Sequence, residues 1–130
     1  MAVEMELHKI MIIDGQDIQR ITLKESEGER TFDITIGSNE ASAIDRRLKG
    51  HVAPRPQTHD LMASLIEALG GQIERIEITN LSNGTFFAVL HVRAGGRVVQ
   101  IDCRPSDAIA LGAAASTPIF VAEHVLDAVC

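Results

Sequence analysis

The acids, arginines and histidines best suited to chemistry gather in three short stretches of this 130-residue chain. Asp102-Cys103-Arg104-Pro105-Ser106-Asp107 places two carboxyls, a guanidinium and a hydroxyl close together. Arg55-Pro56-Gln57-Thr58-His59-Asp60 adds an imidazole, a second guanidinium and another carboxyl. Glu40 follows Gly37-Ser38-Asn39. Glu40, Asp60, Asp102 and Asp107 are the oxygen ligands that Mg²⁺ or Mn²⁺ prefers. An ion held by them would polarise a phosphodiester and lower the pKa of a bound water. His59 is the candidate acid or base, with Arg104 and Asp107 completing the catalytic group. Arg55 and Arg104 suit a phosphate clamp. There is no nucleotide-binding glycine loop, metallohydrolase histidine pair or esterase elbow, and no organic cofactor is expected.

Each of these residues has a structural alternative. An acid in the first turn of a helix is favoured by the exposed N–H groups there, which accounts for Glu40, Asp60 and Asp107 without chemistry. Arg104 can simply pair with Asp102 or Asp107, His59 can rest against a neighbouring carboxylate, and Ser106 can serve as a plain N-cap.

The elements that must position these groups are legible from periodicity. Apolar runs and alternation predict strands over 5–13, 18–25, 31–36, 73–81, 85–93 and 97–103, with a short one at 119–121. Asp14-Gly15, Asn83-Gly84 and Ala94-Gly95-Gly96 read as turns. Helices are expected from Ser38 to Lys49, from Thr58 to Gly70, from Ser106 to Ala115, and from Glu123 to Val129, with Ser38, Thr58 and Ser106 as caps. Leu61, Met62, Leu65, Ile66 and Leu69 form an apolar stripe suited to packing. Residues 21–48 and 86–115 both run strand, turn, strand, helix with an early acid, and Glu40 falls opposite Asp107. The fold class expected is α+β: a mixed, largely antiparallel sheet with packed helices, built on a duplicated strand–strand–helix unit.

No linker or low-complexity tract divides the chain, so residues 1–130 are read as one domain. The net charge of −6 excludes a generally basic surface for nucleic acid. Positive charge concentrates instead at Arg46, Arg47, Lys49 and Arg55, with His51 among them. These are the candidate substrate-binding residues, although cations near a helix end also suit its dipole. Tyr and Trp are absent and there are four Phe, which excludes extensive base stacking. Cys103 reads as a small buried hydrophobe, and the two cysteines give neither a zinc site nor a disulfide framework. No apolar run reaches a membrane span, and a cytoplasmic protein with no membrane partner is expected. Sheet edges left by hairpins favour a homo-oligomer, a dimer first.

Pro54-Arg55-Pro56-Gln57-Thr58-His59-Asp60-Leu61 resembles a signature of the bifunctional nuclease family. So does Asp102-Cys103-Arg104-Pro105-Ser106-Asp107-Ala108-Ile109-Ala110-Leu111. Gly37 to Ala43 is similar to that family's first helix start, and Pro118-Ile119-Phe120-Val121-Ala122-Glu123 to its ending. The resemblance runs from about Leu7 to Val129. It implies a compact α+β domain, often homo-oligomeric, and plant members described as nucleases acting on DNA and RNA. The sequence departs from the family's pattern at Ile34-Thr35-Ile36, Gln57 and Cys103. The site residues rest on their own chemistry and not on the resemblance.

The function expected is hydrolysis of DNA and RNA phosphodiesters with low sequence preference and metal assistance. A non-catalytic oligomeric module that binds a ligand or partner is the alternative. A nucleic-acid binder without cleavage, working through Arg46, Arg47, Lys49 and Arg55, is a third.

Overall fold

Inward-facing apolar residues alternate with polar ones along most of the strands. Phe32, Ile34 and Ile36 are buried while Thr31, Asp33 and Thr35 are exposed; Ala88, Leu90 and Val92 are buried at the same spacing in a strand that also buries His91. The computed structural model describes residues 1–13 and 15–130, so Asp14, half of one expected turn, lies outside the described residues. The strands are β1 (Ala2–Met11), β2 (Ile18–Glu25), β3 (Thr31–Gly37), β4 (Gly71–Ser82), β5 (Thr85–Ala94), β6 (Arg97–Cys103) and β7 (Ile119–Ala122). The helices are α1 (Ser38–Leu48), α2 (Thr58–Ala68), α3 (Pro105–Gly112) and α4 (Glu123–Val129), with a single 3-10 turn at Ala113–Ala115.

All seven strands form one sheet in the order β3-β2-β1-β7-β4-β5-β6. Among the described residues only the β4–β7 pairing is parallel. The α+β class is therefore as expected, and the repeat is larger than expected. β1-β2-β3-α1 and β4-β5-β6-α3 are each an antiparallel meander followed by a helix, and β7 enters between the two meanders.

The sheet curls until its two ends approach. Phe32 on β3 and Phe86 on β5 have ring centroids 5.6 Å apart, although four strands lie between them in the sheet order. α3 lies inside this curl, and of its residues only Asp107 is not buried. A helix buried nearly all round must be apolar and small-sided, which Ala108-Ile109-Ala110-Leu111-Gly112 provides. At Gly112 a Cβ would lie 2.8 Å from Thr117 Cβ and 2.9 Å from Ile76 Cδ1. Gly112→Ala is accordingly expected to destabilise the fold by about 1–3 kcal/mol through overpacking. An unchanged denaturation midpoint would show that the β4 wall gives way.

The helix starts differ from expectation in one consistent way. Ser38, Thr58 and Ser106 lie inside their helices, and the N-caps are Gly37, Gln57 and Arg104. Proline is pre-formed for the first helical position, so Pro105 starts α3 one residue earlier than Ser106. At α2 the Asp60 carboxylate accepts the Gln57 N–H at 2.9 Å, fixing that start from within the helix. At its other end α3 stops at Gly112 and does not continue to Ala115, which lies in the tighter 3-10 turn.

The apolar stripe of α2 is also a correction. Ala63 and Ile66 pack on the core, whereas Leu61, Met62, Leu65 and Leu69 stay exposed. Cys103 is half-buried, and burial together with the charges of Asp107 and Asp102 pushes its thiol up to about 11, a range in which it is unreactive. Among the described residues no helix is long and apolar enough to cross a membrane.

Candidate functional site

With these starts, Glu40, Asp60 and Asp107 all occupy the third position of their helices, where a carboxylate meets free N–H groups. Arg104 then joins two of the three. Its Nε donates to Asp107 Oδ2 at 2.9 Å and its Nη2 to Asp107 Oδ1 at 2.8 Å, a bidentate pair. Its Nη1 reaches Glu40 Oε2 at 3.4 Å. The residue that follows β6 and caps α3 thus ties the start of α3 to the start of α1.

His59, the second residue of α2, places Nε2 3.0 Å from Asp107 Oδ1, with its side chain 13% exposed. A carboxylate only accepts, so this bond assigns the proton to Nε2 and leaves the Nδ1 lone pair available as a base. Hydrogen bonds from Arg104, and secondarily from His59, hold Asp107 below the usual carboxylate range against the partial burial that opposes them.

Asp60 belongs to a neighbouring joint. It accepts from Arg46 Nη1 at 3.1 Å and from Arg47 Nη1 at 2.5 Å, besides the Gln57 N–H. Arg47 continues to the Ala110 carbonyl at 2.6 Å, satisfying an acceptor at the C-terminal end of α3. The Gln57 N–H, then Arg47 and Arg46, hold Asp60 below its ordinary range. Both carboxyls therefore stabilise the fold at neutral pH, and that stability is lost as pH falls through their depressed folded values. The unfolding midpoint should drop steeply on acidification below about pH 4, and the Asp60→Asn/Asp107→Asn double variant should show a shallower drop. Parallel acid titrations of the two proteins would exclude this linkage.

Above these pairs lies an open groove of about 690 Å³ between α1 and the start of α2. Arg46, His51, His59 and Arg104 line it together with Glu40, Asp45, Asn39, Ser42, Gln57 and Thr58. Beyond the Arg104–Glu40 bridge a second hollow of about 360 Å³ opens between β3 and the β5–β6 end, lined by Asp33, Thr35, Phe86 and Ser106. Arg104 and Glu40 are shared by both hollows.

The structure brings together His59, Arg104, Asp107 and Glu40, with Arg46 on the same groove. It places the remaining candidates elsewhere. Asp102 pairs with Val89 on the outer face of the sheet, opposite to the face of Cys103. Lys49 pairs with Asp45 at 3.1 Å and is not part of the groove wall. Arg47 is spent on Asp60 and the end of α3. Arg55 is exposed on the connector before α2. Among the described residues no three His, Cys, Asp or Glu side chains are grouped so as to hold a metal ion. The oxygens of Asp107 and Asp60 are instead engaged by arginine, histidine and backbone N–H donors. As arranged, this donor set suits an ion-pair network and not a metal cage.

Asn39, Ser42 and Thr58 are groove residues that were not singled out by their chemistry. Asn39, Ser42, Ala43 and Arg46 follow i, i+3, i+4, i+7, so a helical projection through Arg46 would have found them.

A model of the bifunctional nuclease domain family matches residues 21–130, which leaves β1 outside the match. Two proteins of Mycobacterium tuberculosis, from two strains and each named only as an uncharacterized protein, are 37% identical to the chain over 123 residues. The alignment covers 95% of this chain and 73% of each of theirs.

Proposed function

The chain belongs to the bifunctional nuclease domain family, and from that premise we propose that its groove binds and hydrolyses phosphodiester bonds of DNA and RNA with little sequence preference. The observation that carries this reading is the His59–Asp107–Arg104 cluster, whose His59 and Arg104 line a groove that Arg46 also lines. Arg104, fixed along one edge by Asp107, is set to present its remaining N–H donors to a phosphate. His59 Nδ1 takes a proton from the attacking water as its oxygen bonds to phosphorus and one P–O ester bond breaks; Asp107 supports the charge that forms on the ring until that proton passes to the leaving oxygen. Arg46, anchored by Asp60, extends the contact to the next phosphate. The groove walls carry no aromatic ring apart from imidazole, which supports backbone contact over base readout.

One observation favours binding without cleavage: Glu40, Asp60 and Asp107 are each already bonded to an arginine. A single assay separates the readings. Purified protein is incubated with single-stranded RNA and DNA in Mg²⁺, in Mn²⁺ and in EDTA, and binding is followed against salt. Shortened fragments in at least one condition, absent for Arg104→Met, are expected. Binding that weakens with salt but leaves the strand intact supports the non-cleaving reading. Neither binding nor cleavage would overturn both.

A further inference from the structure

We infer that the hollow beyond the Arg104–Glu40 bridge is a nucleobase subsite, which takes the base beside the bond being cut and favours cytosine or adenine there. This rests on the nuclease reading of the groove, with which the hollow shares Arg104 and Glu40.

Two polar groups at the hollow have no partner among the described residues. The first is the Ser106 hydroxyl. Ser106, the second residue of α3, is 5% exposed, and its side chain makes no hydrogen bond. A buried hydroxyl left unpaired costs stability unless a ligand or water satisfies it. Among the described residues no fully occluded side-chain oxygen or nitrogen lacks a partner, so this hydroxyl opens onto the hollow that Ser106 lines. The second group is Glu40 Oε1. Arg104 takes the other oxygen, Oε2, at 3.4 Å. Oε1 lies against Gly37, where a Cβ would collide with it, and Gly37 lines the hollow but not the groove. A free acceptor and a free hydroxyl thus stand at the wall of one space.

Size, charge and the order of donor and acceptor decide what fits there. About 360 Å³ is room for a single small ring system. Two carboxylates, Asp33 and Glu40, line the hollow against one guanidinium, which is already tied to Asp107 and Glu40. This excess of negative charge turns away a second phosphate and suits a neutral group that donates hydrogen bonds. Phe86 gives the hollow the aromatic ring that the groove lacks, a surface on which a base can rest. Cytosine and adenine present an amino donor beside a ring-nitrogen acceptor on the Watson–Crick edge. That order complements Glu40 Oε1 beside the Ser106 hydroxyl. Uracil, thymine and guanine put a carbonyl where the amino group would be, and a carboxylate repels it. A strand whose phosphate is held at Arg104 therefore reaches over the bridge by one nucleoside, and base preference is confined to that position.

The probes are cytidine, uridine and inorganic phosphate, each titrated into the full chain and followed through its amide resonances. Cytidine should shift Phe86 and Ser106 to saturation, uridine should bind about tenfold more weakly, and phosphate should leave both unmoved. Ser106→Ala should bind cytidine about 2–10-fold more weakly, the worth of one hydrogen bond. It should melt no lower than the parent, because the free chain loses only an unpaired hydroxyl and gains a better helix former. On RNA of mixed sequence, bonds beside cytosine or adenine should be cut faster than those beside uracil or guanine, and Ser106→Ala should narrow that ratio. Shifts without cleavage would keep the subsite and remove the nuclease reading, whereas cleavage with neither shifts nor a base ratio would do the reverse. Uridine binding equal to cytidine, phosphate moving Ser106 in place of cytidine, or a Ser106→Ala protein that melts well below the parent would each overturn the proposal.

Discussion

His59→Ala is expected to lower phosphodiester cleavage by about 10²–10⁴-fold, the usual worth of a positioned acid–base group. The loss should appear mainly in kcat, because the phosphate contacts proposed for Arg104 and Arg46 would remain in place. His59 is at the second position of α2, and its ring makes one hydrogen bond, to Asp107. Its removal should therefore cost about 0.5–1.5 kcal/mol of stability, too little to unfold the protein. His59→Gln keeps a hydrogen bond to Asp107 but cannot shuttle a proton, so it should restore the melting temperature without restoring activity. Cleavage within threefold of the parent in both variants would remove His59 from the mechanism.

Strand order and edge character were not readable in the same way as strand existence. Alternation such as Thr31 to Ile36 requires a strand with one dry face, and the structure has it. Alternation carries no information on which strands become neighbours, so the insertion of β7 between β1 and β4 came only from the packed molecule. Helix starts lie one or two residues earlier than the capping preference of Ser and Thr alone predicts, for a definite reason. At α3 the fixed φ of Pro105 set the start, and at α2 the Asp60 carboxylate did, reaching back to the Gln57 N–H.

That small shift matters to the site. It puts Glu40, Asp60 and Asp107 in equivalent positions, which the internal repeat had indicated only for Glu40 and Asp107. The residue types at the site were legible, and so was their clustering at helix starts. Their partners were not. A list of carboxylates suggests a cation, but the arginine that takes each one lies 3 to 64 residues away in sequence and is found only once the helices are packed. Asp102 shows the same limit from the other side. Its place beside Arg104 where strand becomes helix suggests a shared site, while its pairing with Val89 puts it on the face opposite to that of Cys103.

Asp107 gives the second large effect, and it separates a counter-ion from a proton carrier. Asp107→Asn retains shape but replaces one oxygen, an acceptor, by an NH₂ donor. Three donors now converge on it: Arg104 Nε, Arg104 Nη2 and His59 Nε2. Arginine cannot yield a proton, so if the amide nitrogen faces His59 the ring must switch tautomer, and its Nδ1 lone pair is lost. If the nitrogen takes the Oδ2 place it faces Arg104 Nε, and the bidentate clamp falls to the single Nη2 bond beside the 3.4 Å contact to Glu40. Either outcome weakens one of the two groups proposed to act on the phosphate, and a fall in kcat of about 10²–10⁴ is expected. Because His59 and Asp107 act as a unit, the double variant His59→Ala/Asp107→Asn should be little worse than either single one. Single-turnover cleavage by all four proteins, with melting curves for each, completes the cycle. Additive losses would mean that Asp107 serves Arg104 alone, and losses of fold and activity in equal proportion would make it a purely structural anchor of α3.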